Sequence, residues 1–464
     1  MMKFTIKTQS NTLTQHKIKK YSLLSASLFF LALMASSATA QNFPHIKTFG
    51  FDYVPLNNRL EEATWLAQHH DWIIGGGGNW DAQLYGTIKE ANPDTKVMTY
   101  LAYHSISPGI MTWLENWCSE NGHNPEDLYY HYHTDTTINI YSGGTRTVPG
   151  FGNSGSAALL EEARLRVRWN GGWVGINPTS TTFRRAFEAL ALDKIGVQGV
   201  PGEFLDGLFL DTFDGIPNRG YWSSILENTI ELNPDDNRNR DEIYALARQD
   251  LVDAKMELEN FLKQHAGNTF KVYANAADAD MIYHWVPEIY MGHRDKTMQV
   301  AIEYMAQSTT GLHRIPRLMQ VYEDLENGRE MLIRSQTNYA STQQNIPYGF
   351  TSFLLAIHYM INHENAYFMY HEGSAANYAG SPYGNFRTSH WYQNMEVNIG
   401  VPITRAGTDS WDTSNTDHFY ELASDSGYRV MDREYSNALI LAKFGNGGWV
   451  GEYWKQPNRP SIEW

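Results

Sequence analysis

Short apolar runs alternate with helical patterns along most of this chain, and that alternation most narrows the folds open to it. Eight runs read as strands: Ile46–Tyr53, Trp72–Gly75, Lys96–Tyr103, Gly207–Asp211, Phe270–Ala274, Glu288–Met291, Arg317–Tyr322 and Ala366–Tyr370. Strands separated by helices call for a parallel sheet. Eight is the number that closes such a sheet into a barrel. The expected fold class is therefore α/β, a (β/α)8 TIM barrel. An open doubly wound sheet would explain the alternation but not why the count stops at eight.

The helices between these runs show one apolar face at three- and four-residue spacing. Leu60, Ala63, Leu66 and Ala67 follow the first strand, and Leu84, Ile88 and Ala91 the second. Phe183, Ala186, Phe187 and Leu190 precede the fourth, with Ser180 to Thr182 offering cap hydroxyls. The clearest pattern runs from Ile243 to Phe261 and stops at Gly267. Met298, Ala301, Ile302 and Met305 read as a sixth helix, and Phe353 to Ile361 as a seventh. The barrel is expected over residues 41–379, with a long insertion after strand three (107–178) of the kind that often carries function. From 380 to 464 strand-like alternation replaces helical spacing, at 394–403, 418–423, 428–433 and 437–444, so a small C-terminal antiparallel β-domain is expected. Asn170-Gly-Gly-Trp-Val-Gly175 recurs as Asn446-Gly-Gly-Trp-Val-Gly451, which reads as two similar tight turns.

Residues 1–40 have the layout of a signal peptide. Lys17, Lys19 and Lys20 precede the apolar run Tyr21 to Met34, and Ala38-Thr39-Ala40 offers the cleavage site. The apolar run is too short to span a bilayer. The protein is expected to be exported, periplasmic or extracellular, with no membrane partner once the signal is removed. The formal net charge is −15, and the leader holds five lysines and no acid, so the rest is more acidic still. Such a surface excludes nucleic acid and anionic lipid as partners. Cys118 is the single cysteine, so no internal disulfide forms even in an oxidising compartment. The 14 Trp and 28 Tyr exceed what a core needs and supply rings that stack on sugars, pointing to a polysaccharide or oligosaccharide partner.

No cofactor or metal is expected. Gly75 to Gly78 is not followed by the Gly-Lys-Ser/Thr of a phosphate loop and reads instead as a close backbone approach. His131 and His133 flank Tyr132 without a third ligand motif. Asp235, Asn237, Asn239 and Asp241 begin like a calcium loop, but the sixth-position glycine and twelfth-position glutamate are missing. A solvated loop before the long helix is the better reading.

In barrels of this kind the active site lies at the C-terminal ends of the strands. Those ends bring Asp52 and Tyr53, Tyr103 and His104, Asp211 and Asp214, Asn275, His293 and Arg294, Tyr322, and His371 to one face, with Trp80 just past strand two. Glycosidic cleavage needs two carboxyl groups, one acid and one base or nucleophile. Asp211 is the first candidate, because a charged residue ending the apolar Leu208-Phe209-Leu210 has no packing role there. Glu323 after strand seven and Glu372 after strand eight are the candidate partners. The other residues of the ring read as substrate-binding. Asp206 opens the same strand as Asp211 and belongs to the opposite, stabilising end.

The run Asp206-Gly-Leu-Phe-Leu-Asp211 resembles the D-G-(I/V)-F-(L/F)-D strand of the so-called hypothetical glycosyl hydrolase barrel families, and more distantly the endo-α-1,4-polygalactosaminidase group. Asn177-Pro178 before a helix containing Phe183-Arg184 is similar to those families' approach to strand four. Arg433-Glu434-Tyr435-Ser436-Asn437-Ala438-Leu439-Ile440 is similar to their R-E-(F/Y)-x-N-G-L-V segment. The resemblance implies a glycosidase barrel with Asp211 near the reaction. This chain departs from it at Gly292-His293, where related barrels place a Glu after strand six, and at Ala438, which replaces a Gly. The sequence thus supports a metal-independent glycoside hydrolase. A non-catalytic glycan-binding barrel is one alternative. A polysaccharide lyase, with Tyr103 or His104 as base and Arg294 beside the sugar acid, is another.

Overall fold

Eight strands lie side by side in chain order in the computed structural model: β1 (Phe49–Asp52), β2 (Trp72–Gly75), β3 (Lys96–Ala102), β4 (Gly207–Asp211), β5 (Lys271–Asn275), β6 (Val300–Ile302), β7 (Met331–Thr337) and β8 (Ala366–Glu372). Every neighbouring pair is parallel. The two edges meet where Thr48 bridges Phe368 in parallel and the Phe368 N–H donates to the Lys47 carbonyl at 2.8 Å. The chain is an α/β protein built on a nearly closed, eight-stranded parallel barrel. The structure describes residues 46–52, 56, 59–75, 80–103, 105–139, 145–151, 161–166, 173–211, 228–232, 238–275, 299–302, 315–337, 355–372, 398–403, 420–425, 427–445 and 448–449. The segment read as a signal peptide and the boundary expected near 380 lie outside them.

Residues two apart on a strand face the same way, and this rule builds the barrel interior. A lower tier is aromatic: the Trp72 ring meets Tyr273 at 5.7 Å and Tyr367 at 6.3 Å. An upper tier repeats the device, with Phe51 edge-on to Tyr100 at 5.7 Å and to Phe209 at 5.4 Å. Gly207 makes room for the indole, because a Cβ there would stand 2.9 Å from the Lys271 carbonyl and 3.3 Å from the Trp72 ring. The alternate residues, such as Ile73, Val97, Leu208, Leu210 and Val272, are buried on the outer face beneath helices. Each contributes roughly 1.5–3 kcal/mol by leaving water.

That outer layer contains α1 (Leu60–His69), α2 (Ala82–Ala91), α3 (Pro108–Asn121), α4 (Thr181–Ile195), α5 (Arg240–Ala266), α6 (Ile315–Glu326) and the helical segment 355–360. Their starts follow capping chemistry. Asp81 accepts from Leu84 N at 2.8 Å, and Ser180 accepts from Phe183 N at 3.3 Å. Asn239 and Glu242 form a reciprocal capping box on α5. The calcium-like run before α5 therefore ends in a helix cap.

Two strands differ from the sequence expectation. Ala301 and Ile302, read as helical, belong to β6, while 288–291 falls outside the described residues. Met298, Ala301, Ile302 and Met305 satisfy helical spacing by coincidence, and a three-residue strand offers too little alternation to oppose it. Arg317–Tyr322, read as strand seven, lies within α6, where Leu318, Met319, Val321, Tyr322 and Leu325 are buried and Glu323 is exposed. The strand itself is Met331–Thr337, whose polar half Arg334-Ser-Gln-Thr337 disguises it.

The insertion holds α3, a 3-10 turn at Pro125–Leu128, and two antiparallel pairings, Ser105–Ile106 with Val174–Gly175 and Thr136–Asn139 with Thr145–Val148. Near the C-terminus, β9 (Tyr420–Asp425), β10 (Tyr428–Glu434), β11 (Leu439–Gly445) and β12 (Gly448–Trp449) form an antiparallel sheet. The described part of 394–403 makes no strand, only a bridge from Pro402 to Tyr435. The sheet's Met431, Ile440 and Phe444 join the same core as the barrel's outer layer. Buried Arg433 fastens it, donating to the carbonyls of Met360 and Asn362 and to the Tyr322 hydroxyl. The turns of the repeated hexapeptide lie outside the described residues, and only the pairs that flank them are seen. Gly445 pairs with Gly448 across two residues, whereas Val174 pairs with Arg166 across a longer connection. No described helix is long and apolar enough to cross a membrane.

Candidate active site

The alternation that stacks the aromatic tiers also selects what stands above them. Asp211 follows Phe209 by two residues and Asn275 follows Tyr273 by two, so both reach the mouth from the inner face. Tyr100 belongs to the upper tier, with its ring stacked on Phe209 at 5.9 Å and its hydroxyl donating to Asp211 Oδ2. Asn275 Nδ2 donates to Asp211 Oδ1 at 2.7 Å. Asp211 is half-buried and Asn275 buried. Among the described residues, both partners of Asp211 are neutral donors. They orient its carboxylate without cancelling its charge, and a strand end holds it more rigidly than a loop. A carboxylate so held suits a base, a nucleophile, or a stabiliser of developing positive charge.

The remaining candidates divide sharply. Asp52 ends β1 in the register alternate to Phe49 and Phe51. His371 and Glu372 end β8 opposite Gln336 and Thr337; His371 shares the register of Tyr367 and Met369, and Glu372 takes the alternate one. Tyr53, His104, Asp214, His293 and Arg294 lie outside the described residues.

Four candidates stand elsewhere than expected. Trp80 is buried in the outer layer with Leu84 and Ile88, against Gly75, whose Cβ would sit 2.3 Å from the indole. The glycine at that strand end is therefore a close approach to a ring. Tyr103 is buried beneath α4, edge-on to Phe187 at 4.8 Å, and burial raises its hydroxyl far above the ordinary range. Tyr322 packs under Arg433 on α6. Glu323 is exposed on α6, a helix that precedes β7, so it does not sit at a strand end. Trp80 and Tyr103 are misplaced by treating chain proximity to a strand end as access to the mouth, and Tyr322 and Glu323 by reading the helix α6 as strand seven.

Sequence reasoning missed Tyr100 and Arg334. Tyr100 lies two residues short of the β3 end, and its hydroxyl rises into the site from below. Arg334 shares the inward register of Leu332 on β7 and is half-buried. Correct strand assignment and the two-residue rule would have found both. The corrected β6 is followed in the chain by Glu303, which lies outside the described residues. No group of three metal-ligating side chains occurs among the described residues. His131 is instead engaged by Glu231 and Glu126, and His133 is exposed. No protein-family model matches this chain, and no curated protein matches it.

Proposed function

We propose that the chain is an exported glycoside hydrolase: a (β/α)8 TIM barrel with a small C-terminal antiparallel β-domain, acting on a polysaccharide or oligosaccharide. One observation carries this reading. Asp211 stands at the mouth of a parallel barrel, above an aromatic floor, held by Tyr100 and Asn275. With both oxygens accepting hydrogen bonds, Asp211 suits the role of ionised base or nucleophile. The proton for the leaving oxygen then comes from a second acid. Glu303, next in the chain after β6, is the first acid to test for that role; Glu372 ends β8 in the register alternate to inward Tyr367 and Met369 and is tested as the sequence candidate. Water takes the anomeric carbon as the protonated oxygen leaves, and the two carboxyl groups supply and recover the protons.

The test is reducing-sugar release from a broad polysaccharide panel by wild type, Asp211→Asn, Glu303→Gln and Glu372→Gln. Release by wild type that disappears in folded Asp211→Asn supports the reading, and loss in one glutamate variant identifies the acid. Equal release by wild type and Asp211→Asn removes Asp211 from the mechanism. Products with ultraviolet absorbance would indicate a lyase. Tyr103, in the outer core, is not available as that lyase's base. A glycan-binding barrel is the second reading, favoured by the engagement of both Asp211 oxygens within the protein. Retained binding with no release from any substrate would establish it.

A further inference from the structure

The chain leaves β4 at Asp211 and re-enters the described structure at residues 228–232, fastened to the insertion that follows β3. Thr229 bridges Tyr132, the His133 N–H donates to the Asn228 carbonyl at 2.7 Å, and the Ile230 N–H donates to the His131 carbonyl at 3.0 Å. The Asn228 side chain bonds Thr134 and Thr136. At the centre stands buried His131, with Nδ1 2.6 Å from Glu231 Oε1 and Nε2 3.1 Å from Glu126 Oε2. Its backbone N–H donates to Glu231 Oε2 at 2.9 Å. A neutral imidazole has one donor and one acceptor nitrogen, so between two carboxylates it would turn one lone pair against another. Only the imidazolium donates at both ends.

We propose that Glu126, His131 and Glu231 form a proton-operated latch, which holds the far end of the strand-four connection on the insertion while His131 is cationic and releases it when that proton leaves. The surrounding charges sharpen this dependence. Arg164, bridged to His131 through the backbone, donates to Glu126 at 2.9 and 2.5 Å and pairs with Glu115 of α3 at 2.8 Å. The Tyr129 hydroxyl donates to Glu115 at 3.0 Å. Once His131 is neutral, Arg164 still pairs with Glu115 and Glu126, while Glu231 loses the cation it faces.

Burial by itself lowers the His131 pKa, but the hydrogen bonds and charges of Glu126 and Glu231 outweigh it and lift the group from 6.5 to about 9. Burial likewise raises Glu126, yet His131 and Arg164 bring it from 4.5 down to about 2. The His131 contribution is therefore complete below about 6.5 and lost as pH rises through about 9. The Glu126 contribution is complete above about 4.5 and lost as pH falls through about 2. The latch is strongest between those limits and opens on the alkaline side. The latched residues 228–232 follow Asp211 in the chain, and the latch stands on its own residues whatever the barrel acts on.

The experiment uses the full chain, with ring-labelled histidine followed by NMR and amide exchange followed by mass spectrometry. His131, assigned by the peak lost in His131→Gln, should titrate about two units above a free histidine. Exchange over 228–232, corrected for intrinsic pH dependence, should rise at least about tenfold between roughly pH 7 and pH 10, while α1 and α2 stay protected. Glu231→Gln, which keeps the side-chain shape, should lower the highest histidine midpoint by about one unit or more and raise 228–232 exchange at neutral pH. It serves even where His131→Gln fails to fold. A His131 midpoint near the free value, exchange flat to about pH 10, or a Glu231→Gln variant indistinguishable from wild type overturns the latch.

Discussion

Asp206 and Asp211 bracket β4, and the two ends of the barrel treat them in opposite ways. Asp206 Oδ2 takes a hydrogen bond from Val97 N at 2.9 Å and an ion pair from Lys89 at 3.0 Å. Around it the lower end is full of matched charges. Lys271 pairs with Glu330 at 2.8 Å, and Tyr273 donates to the same glutamate. Lys96 lies 5.0 Å over the Trp72 ring and Lys47 5.1 Å over Tyr367. Burial lowers the Lys47 pKa, so even that ammonium is held at some cost in solvation. At the mouth, Asp211 meets only neutral donors among the described residues. The lower end uses its acids to join strands; the upper end keeps one oriented and uncancelled, as the proposed acid/base chemistry requires.

The sharpest way to break this comparison is to remove the Asp211 charge. Asp211→Asn should cut reducing-sugar release by about 10²–10⁴-fold, the usual worth of an acid/base or nucleophilic group, with the melting temperature nearly unchanged. A variant that melts early would make Asp211 a structural acid like Asp206. Next comes Gly207→Ala, whose added methyl collides with the Lys271 carbonyl and presses on Trp72. Denaturant unfolding should show a loss of about 1–3 kcal/mol. A smaller loss would mean the lower tier has slack.

Asp206→Ala should cost about 1–2 kcal/mol by the same measurement, since one backbone donor and one half-exposed lysine lose their partner. Its specific activity per folded molecule should match wild type. Activity lost at constant stability would show that the two ends are not separate in function. The smallest effect is expected of Tyr100→Phe, which leaves the stacked ring and removes one donor from Asp211. About a tenfold fall in kcat, or 1.4 kcal/mol, with KM unchanged would mark Tyr100 as a positioning residue.

Much of this architecture was legible before any coordinates. The strands around Phe49, Ile73, Val97, Leu208, Val272 and Phe368 declare themselves because each is apolar on both faces, the mark of a parallel strand buried on both sides. Asp211 stood out against that background because a charge ending such a run has few packing explanations. Strands six and seven did not declare themselves. Val300–Ile302 is too short to show a period, and Met331–Thr337 turns polar where it enters the mouth. The amphipathic α6 then offered a better-looking strand than either.

Local period is a property of neighbours in the chain, so the alternation of strand and helix, the parallel sheet and the end at which Asp211 stands were settled by sequence alone. Burial and pairing are properties of residues brought together from afar, and those only the tertiary structure decided. Trp80 and Tyr103 are aromatic residues beside strand ends like many binding residues. Only the packing of Gly75 and α4 against them turns them into core. Glu231 reaches His131 across 100 positions and Asn275 reaches Asp211 across 64. A carboxylate's role depends on which donors surround it, and those donors come from strands that meet only when the barrel closes.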